Sequence, residues 1–221
     1  MRKLTLTGLA AISHEETLKT LNPKTSEYYP LVQDIRNNCN LDITFIDEVI
    51  RTTDDISEAI PYLFDRFIKE ENPNYIMVLG KVFMADKYLS IININKLIEK
   101  YKSFDDTWIK NNPNGGRGTI AHLVSMMIDK GDLDKIYDIL LNDETLGDTR
   151  VWLIESLNKY KANQKFYDYL ISHKDMYKER ESVYGIYPDN IPYQEGEYMN
   201  AKINYLLGTK KWKKFAEEKA K

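Results

Sequence analysis

Two interleaved series of apolar stripes recur along this chain and constrain it more than any single motif. One series reads Phe45, Ile46, Val49, Thr52; Val78, Leu79, Val82, Ala85; Ile120, Ala121, Val124, Met127; and Leu153, Ile154, Leu157, Tyr160. Its sets begin 33, 42 and 33 residues apart. The second reads Tyr28, Leu31, Val32, Ile35; Ile60, Leu63, Phe64, Phe67; Ile94, Leu97, Ile98, Tyr101; Leu133, Ile136, Tyr137, Leu140; and Phe166, Tyr169, Leu170, His173. Its sets begin 32, 34, 39 and 33 residues apart. Spacings of one, three and four residues place each set on one face of a helix, and strand-like alternation is almost absent. An all-α fold is expected. Two alternating helices per unit can bury their apolar faces only against neighbouring units, so the expected architecture is a right-handed α-α superhelix of about five helical hairpins.

The domain layout follows from where the pattern starts, breaks and stops. Residues 1–24 read as an N-terminal helical cap, with Ser13 and Glu16 spaced as a capping box ahead of Leu18 and Leu21 and with Asn22-Pro23 as its stop. The repeat array is expected over 25–208. Its fifth hairpin is interrupted by an insertion at 174–197 before a helix carrying Met199, Ile203 and Leu206. A short basic helix, 209–221, closes what is expected to be one continuous domain.

With 221 residues, 43% of them hydrophobic, the chain can bury a continuous core. Its 31 basic and 34 acidic residues leave a net charge of -3, which gives no general attraction to nucleic acid or anionic lipid. The lone cysteine, Cys39, excludes an intramolecular disulfide and reads as a small, partly buried side chain. The opening MRKLTLTGLAAISHEE has a short apolar run, but threonines break it and no small-x-small cleavage site follows. No segment is long and apolar enough for a membrane span, so a soluble, cytoplasmic protein is expected.

Arg150 lies on the stripe of Leu153, Ile154, Leu157 and Tyr160, where the period calls for an apolar residue. Arg117, 33 positions earlier, stands in the same relation to Ile120, Ala121, Val124 and Met127. The repeat reproduces the arginine. A guanidinium at the start of an inner helix can pair with a carboxylate or with turn carbonyls and tie one hairpin to the next. Asp143 and Asp148 are the expected acceptors for Arg150, and Tyr75 and Asp42 occupy the matching position in the two earlier units. The stretch from Leu133 to Tyr160, with its polar turn NDETLGD followed by TRVWLIESL, resembles a HEAT repeat. The likeness is fair over Ile94 to Ile128 and only periodic elsewhere. It implies that such an arginine is a structural strut and that the second helix of each hairpin lines a concave face.

Residues that could carry chemistry are sparse. His14, His122 and His173 have no acidic partner at ligand spacing, and no metal ion or other cofactor is expected. Asp54-Asp55 and Asp105-Asp106 precede helix-like segments and read as caps. The loop NNPNGGRGT lacks the Gly-Lys-Ser/Thr ending and the preceding strand of a nucleotide loop.

Under the HEAT-like arrangement, the groove-facing residues are Thr44, Met77, Thr119, Trp152; Asp47, Gly80, His122, Glu155; Glu48, Lys81, Leu123, Ser156; and Arg51, Met84, Met126, Lys159. Acids and bases cancel among them. Met77, Met84, Leu123, Met126 and Trp152 remain as apolar anchors, a palette suited to protein binding. The insertion adds Tyr177, Tyr184, Tyr187, Tyr193 and Tyr198, stiffened by Pro188 and Pro192. The function expected is therefore a non-enzymatic scaffold for another protein, of adaptor, inhibitor or immunity type. Its partner-binding residues would be Met77, Met84, Met126, Trp152, Tyr184, Tyr187 and Tyr193, with no membrane partner, nucleic acid disfavoured and no small-molecule substrate evident. The alternative is a DNA-binding protein similar to the HEAT-like alkylpurine DNA glycosylases. That activity needs a basic groove and a catalytic carboxylate, and here only Trp152 with Glu155 could imitate them.

Overall fold

A computed structural model of the chain describes residues 1–104, 108, 112, 116–142, 149–175, 183–186, 192–194 and 197–220. These are mostly helical: α1 (Gly8–Thr20), α2 (Tyr29–Cys39), α3 (Ile46–Arg51), α4 (Ile60–Lys69), α5 (Pro73–Phe83), α6 (Asp86–Leu89), α7 (Ile94–Lys102), α8 (Arg117–Met127), α9 (Leu133–Asn142), α10 (Val151–Ser156), α11 (Gln164–His173), α12 (Glu197–Gly208) and α13 (Lys210–Lys219). Two residue pairs, β1 (Arg2–Lys3) and β2 (Leu41–Asp42), run parallel, and β3 (Val183–Ile186) pairs antiparallel with β4 (Pro192–Gln194) inside the insertion. Among the described residues no helix is long and apolar enough to cross a membrane. Backbone contacts divide the chain into two units, Met1–Lys96 and Leu97–Lys221.

Proline and asparagine set the helix limits in the first unit. Pro30, Pro61 and Pro73 each occupy the first turn of α2, α4 and α5, where the missing N–H costs nothing. Asn72 caps α5 by accepting from the N–H groups of Asn74 and Tyr75. Asn40 ends α2 in the left-handed conformation, φ 53°. Helix α2 packs on α4, α4 on α5, and α3 on α5. The stripes meet in the interior: Leu31, Val32, Ile35, Ile60, Leu63, Phe64, Phe67, Val78, Leu79 and Val82 are all buried. Phe64, Phe67 and Phe83 form a ring cluster with centroids 5.4–6.4 Å apart.

Asp34 on α2 is the polar hub of this unit. It accepts hydrogen bonds from the Tyr62 hydroxyl at 2.8 Å and from Arg66 Nε at 3.2 Å, and Arg66 also pairs with the buried Glu70. Burial and the adjacent Asp34 carboxylate push the Tyr62 phenol up to about 12. Burial, with Asp34 nearby, also raises the Cys39 thiol to about 11, so Cys39 is no thiolate nucleophile at neutral pH. The two earlier positions that match Arg150 are also tied down. The Tyr75 hydroxyl donates to the Glu27 carbonyl at 2.8 Å, and Asp42 pairs with Arg36 at 3.1 Å.

The capping box expected at Ser13 and Glu16 is not formed. Helix α1 begins at Gly8, so Ser13 sits mid-helix and its carbonyl accepts from the Thr17 hydroxyl. The run LAAISHEE propagates helix upstream of Ser13, and propensity there overrides the local capping pattern. No residue of α1 is buried, and Leu9, Ile12 and Leu18 are exposed. The helix meets α3 through His14, whose ring stands edge-on to Phe45 at 5.9 Å. The paired acids have structural roles: Asp54 accepts from Thr5 N, and Asp55 accepts from both the N–H and the hydroxyl of Ser57. Asp105 and Asp106 lie outside the described residues.

In the second unit α8 packs against α10 and α10 against α12, while α9 packs on α10 and α11 on α12. Helices α8, α10 and α12 thus lie side by side, and α9 and α11 each pack on the helix that follows. Many side-chain contacts join residues about one unit apart: Tyr160 donates to the Ile128 carbonyl at 2.7 Å, Lys159 to the Ser125 carbonyl at 2.6 Å, and the rings of Tyr137 and Phe166 meet at 5.4 Å. Met199, Ile203 and Leu206 are fully buried, so α12 continues the series beyond the insertion.

Helix α13 closes the unit. Trp212 is buried against Phe215 and Tyr167. The Lys211 ammonium donates to the carbonyls of Leu157, Asn158 and Tyr160 at 2.8–3.2 Å, capping the 3₁₀ turn that ends α10. Methionine at 211 keeps the aliphatic stem and removes all three donors. Lys211→Met is expected to lower unfolding free energy by about 1–2 kcal/mol in urea titration, and an unchanged midpoint would show that water replaces the ammonium without cost.

Candidate functional site

The candidate site is a face of the second unit built by α8, α10 and α12. Thr119, His122 and Met126 follow one another along α8 at spacings of three and four, and all three are half-buried. Trp152, on α10, stacks on the His122 imidazole with centroids 4.2 Å apart and planes 14° from parallel. Gly118, one turn before His122, lies beside the indole: a Cβ there would make ordinary van der Waals contact with Trp152 Nε1 at 4.0 Å. Trp152 therefore lies against α8 and leaves part of its indole at the surface. One turn on, Glu155 bridges to Lys202 of α12 at 3.0 Å, and Tyr205, one turn beyond Lys202, is 64% exposed.

Burial lowers the His122 imidazole below its ordinary value; Glu155 opposes the shift and Lys159 adds to it. The neutral ring is then the form that faces Trp152 at pH 7. A depressed histidine binds its proton more readily unfolded than folded, so its contribution to stability is present above about pH 6.5 and is lost as pH falls. The site offers an aromatic slab, a thioether, a compensated ion pair and an exposed phenol. These make contact area and hydrogen bonds. No nucleophile paired with a general base stands among the described residues of this face.

The other sequence-derived residues fall as follows. Met77 and Met84 are half-buried on and just after α5, in the first unit. Two cavities of that unit, about 350 and 500 Å³, open on either side of α1, and neither is lined by these methionines. Tyr184 and Tyr193 lie on β3 and β4, with the Tyr193 backbone opposite Gly185; Tyr187 lies outside the described residues. Arg117 and Arg150 are both buried, Arg150 completely. Their expected acceptors Asp143 and Asp148 lie outside the described residues.

One row of the expected groove is corrected: Glu48, Leu123 and Ser156 are buried, and so is Gly80. Helix α10, for example, packs on α8, α9 and α12, and is therefore covered over a wider arc than a single amphipathic stripe. Glu48 is drawn in further because its carboxylate accepts from the N–H groups of Thr44 and Phe45 at the start of α3.

Lys202 and Tyr205 were not among the residues singled out from sequence. The signal was present, since Met199, Ile203 and Leu206 define the buried stripe of α12 and turn 202 and 205 away from it. The insertion before α12 hid which residues would align with Trp152. Comparison with protein-family models, curated proteins and solved structures found no match to this chain.

Proposed function

We propose that this protein is a non-enzymatic, HEAT-like right-handed α-solenoid that binds another protein through the face carrying Met126, His122, Trp152 and Tyr205. The observation that carries the reading is the partly exposed Trp152, stacked on His122 of α8, with half-buried Met126 one turn further along α8 and exposed Tyr205 on α12, which packs on α10. Preordered aromatic side chains lose little entropy on binding and dominate interface energetics. The tyrosines of the insertion, Tyr184, Tyr187 and Tyr193, are proposed as further partner-binding residues, as are Met77 and Met84 within the first unit. Arg117 and Arg150 are read as structural struts; Asp143 and Asp148, the acceptors expected from sequence, lie outside the described residues. The burial of both arginines supports that role, because a guanidinium is excluded from water only where its donors are met.

The glycosylase-like alternative fares worse on the geometry. Glu155, the carboxylate it requires, is half exposed and neutralised by Lys202, and Trp152 is occupied by His122 on one side. Excision of a base needs an unpaired acid beside a slot for the extruded nucleotide.

A photo-crosslinking residue at position 205 is expected to trap one protein partner in the native host, and Trp152→Ala is expected to cut trapping at least about tenfold, the loss of a single aromatic hot spot. Circular dichroism should show unchanged helix content in that variant. Steeply salt-dependent duplex binding with release of an alkylated base, abolished by Glu155→Gln, would replace this reading with the enzymatic one.

A further inference from the structure

We propose that the solvent face of α13 is a docking surface for a run of acidic side chains on a partner protein, separate in its residues from the Trp152 face and independent of it. The helix carries five lysines against two glutamates in a chain that is net negative. Lys211 is turned inward onto three backbone carbonyls. Lys210, Lys213 and Lys214 are left exposed at spacings of three and four, which puts their side chains on one patch. Lys214 reaches Glu218 at 3.7 Å, while Lys210 and Lys213 make no ion pair among the described residues. Lys161 is also exposed and directly follows Tyr160, whose carbonyl receives Lys211, so it adds to the positive surface there.

This arrangement opposes the helix's own electrostatics. Cations crowd the first turn, where the macrodipole favours anions, and like charges at such spacings repel. A negative partner relieves both effects.

The apolar side of the helix decides what kind of partner fits. Trp212 is buried, and Phe215 packs on Tyr167 with centroids 5.4 Å apart. With its aromatics turned inward, α13 has no apolar face to lay into a bilayer and no exposed ring on which an unpaired base could stack. Three or four lysines within one turn span too few phosphates for firm duplex binding. They match carboxylates three and four residues apart on a helix, or on alternate residues of an extended strand, whose same-side side chains repeat every ~6.6 Å.

The test is fluorescence anisotropy on the full chain with labelled octaglutamate, an alternating glutamate–lysine octamer and a short DNA duplex. Octaglutamate is expected to bind saturably, to weaken about tenfold between roughly 50 and 200 mM salt, and to bind more tightly than the other two probes. Charge reversal by Lys210→Glu with Lys213→Glu should abolish binding, and Lys210→Gln with Lys213→Gln should weaken it, both without a fall in melting temperature, since each relieves the unfavourable charge at the helix start. The absence of saturable octaglutamate binding, binding indifferent to either double variant, tighter binding of the duplex, or sedimentation with phosphatidylserine vesicles would each overturn the proposal.

Discussion

Arg150→Ala is expected to cost about 3 kcal/mol of stability, which lowers the melting temperature of a chain this size by roughly 6–12 °C. Arg150 is 0% exposed and ranks among the largest fully buried side chains of the protein. A guanidinium cannot shed its proton, so its burial is tolerated only with its donors satisfied. Alanine removes those donors, strands whatever they met and leaves a void beside Leu153 and Ile154. Arg150→Met fills the volume without the charge and is expected to recover less than half of the loss. Arg117→Ala, one repeat earlier, is expected to act in the same direction. Thermal melting reads all three, and a shift under about 2 °C for Arg150→Ala, less than 1 kcal/mol, would remove the strut role.

Trp212→Ala is expected to be at least as damaging, at about 3–5 kcal/mol, with loss of cooperativity in the C-terminal part of the unfolding transition. The side chain is 1% exposed and anchors α13 through contacts with Phe215 and Tyr167. Its indole Nε1 is buried without a hydrogen-bond partner among the described residues. Phenylalanine therefore discards a donor that contributes nothing, and Trp212→Phe is expected to cost under about 1.5 kcal/mol, as volume-preserving changes do. Chemical denaturation followed by circular dichroism separates the two variants. Equal losses would mean that the indole N–H is satisfied by water after all.

The principal helices were legible in the sequence because their apolar residues repeat at spacings that local geometry dictates. Ile120, Ala121 and Val124, or Leu153, Ile154 and Leu157, must share a face once the backbone is helical, and all six are buried. The all-α class follows from the same periodicity. The burial of Arg150 was visible as a charge standing on an apolar stripe and repeated one unit earlier. Other local signals misled. Ser13 and Glu16 carry a capping spacing, yet α1 starts at Gly8, because helix propensity acts over several residues and a cap over one.

What the sequence could not place were contacts between residues far apart along the chain. That Trp152 would stack on His122, that Glu155 would meet Lys202 across the insertion, and that Lys211 would reach three carbonyls more than fifty residues away depend on how neighbouring helices are aligned along their axes. Periodicity determines which face of a helix turns inward, and it is unchanged when that helix slides along its neighbour. The slide is set by the packing of side chains across the interface, so the stripes came from the sequence alone, while the site, the Lys211 cap and the burial of Glu48 and Leu123 were decided only by the tertiary structure.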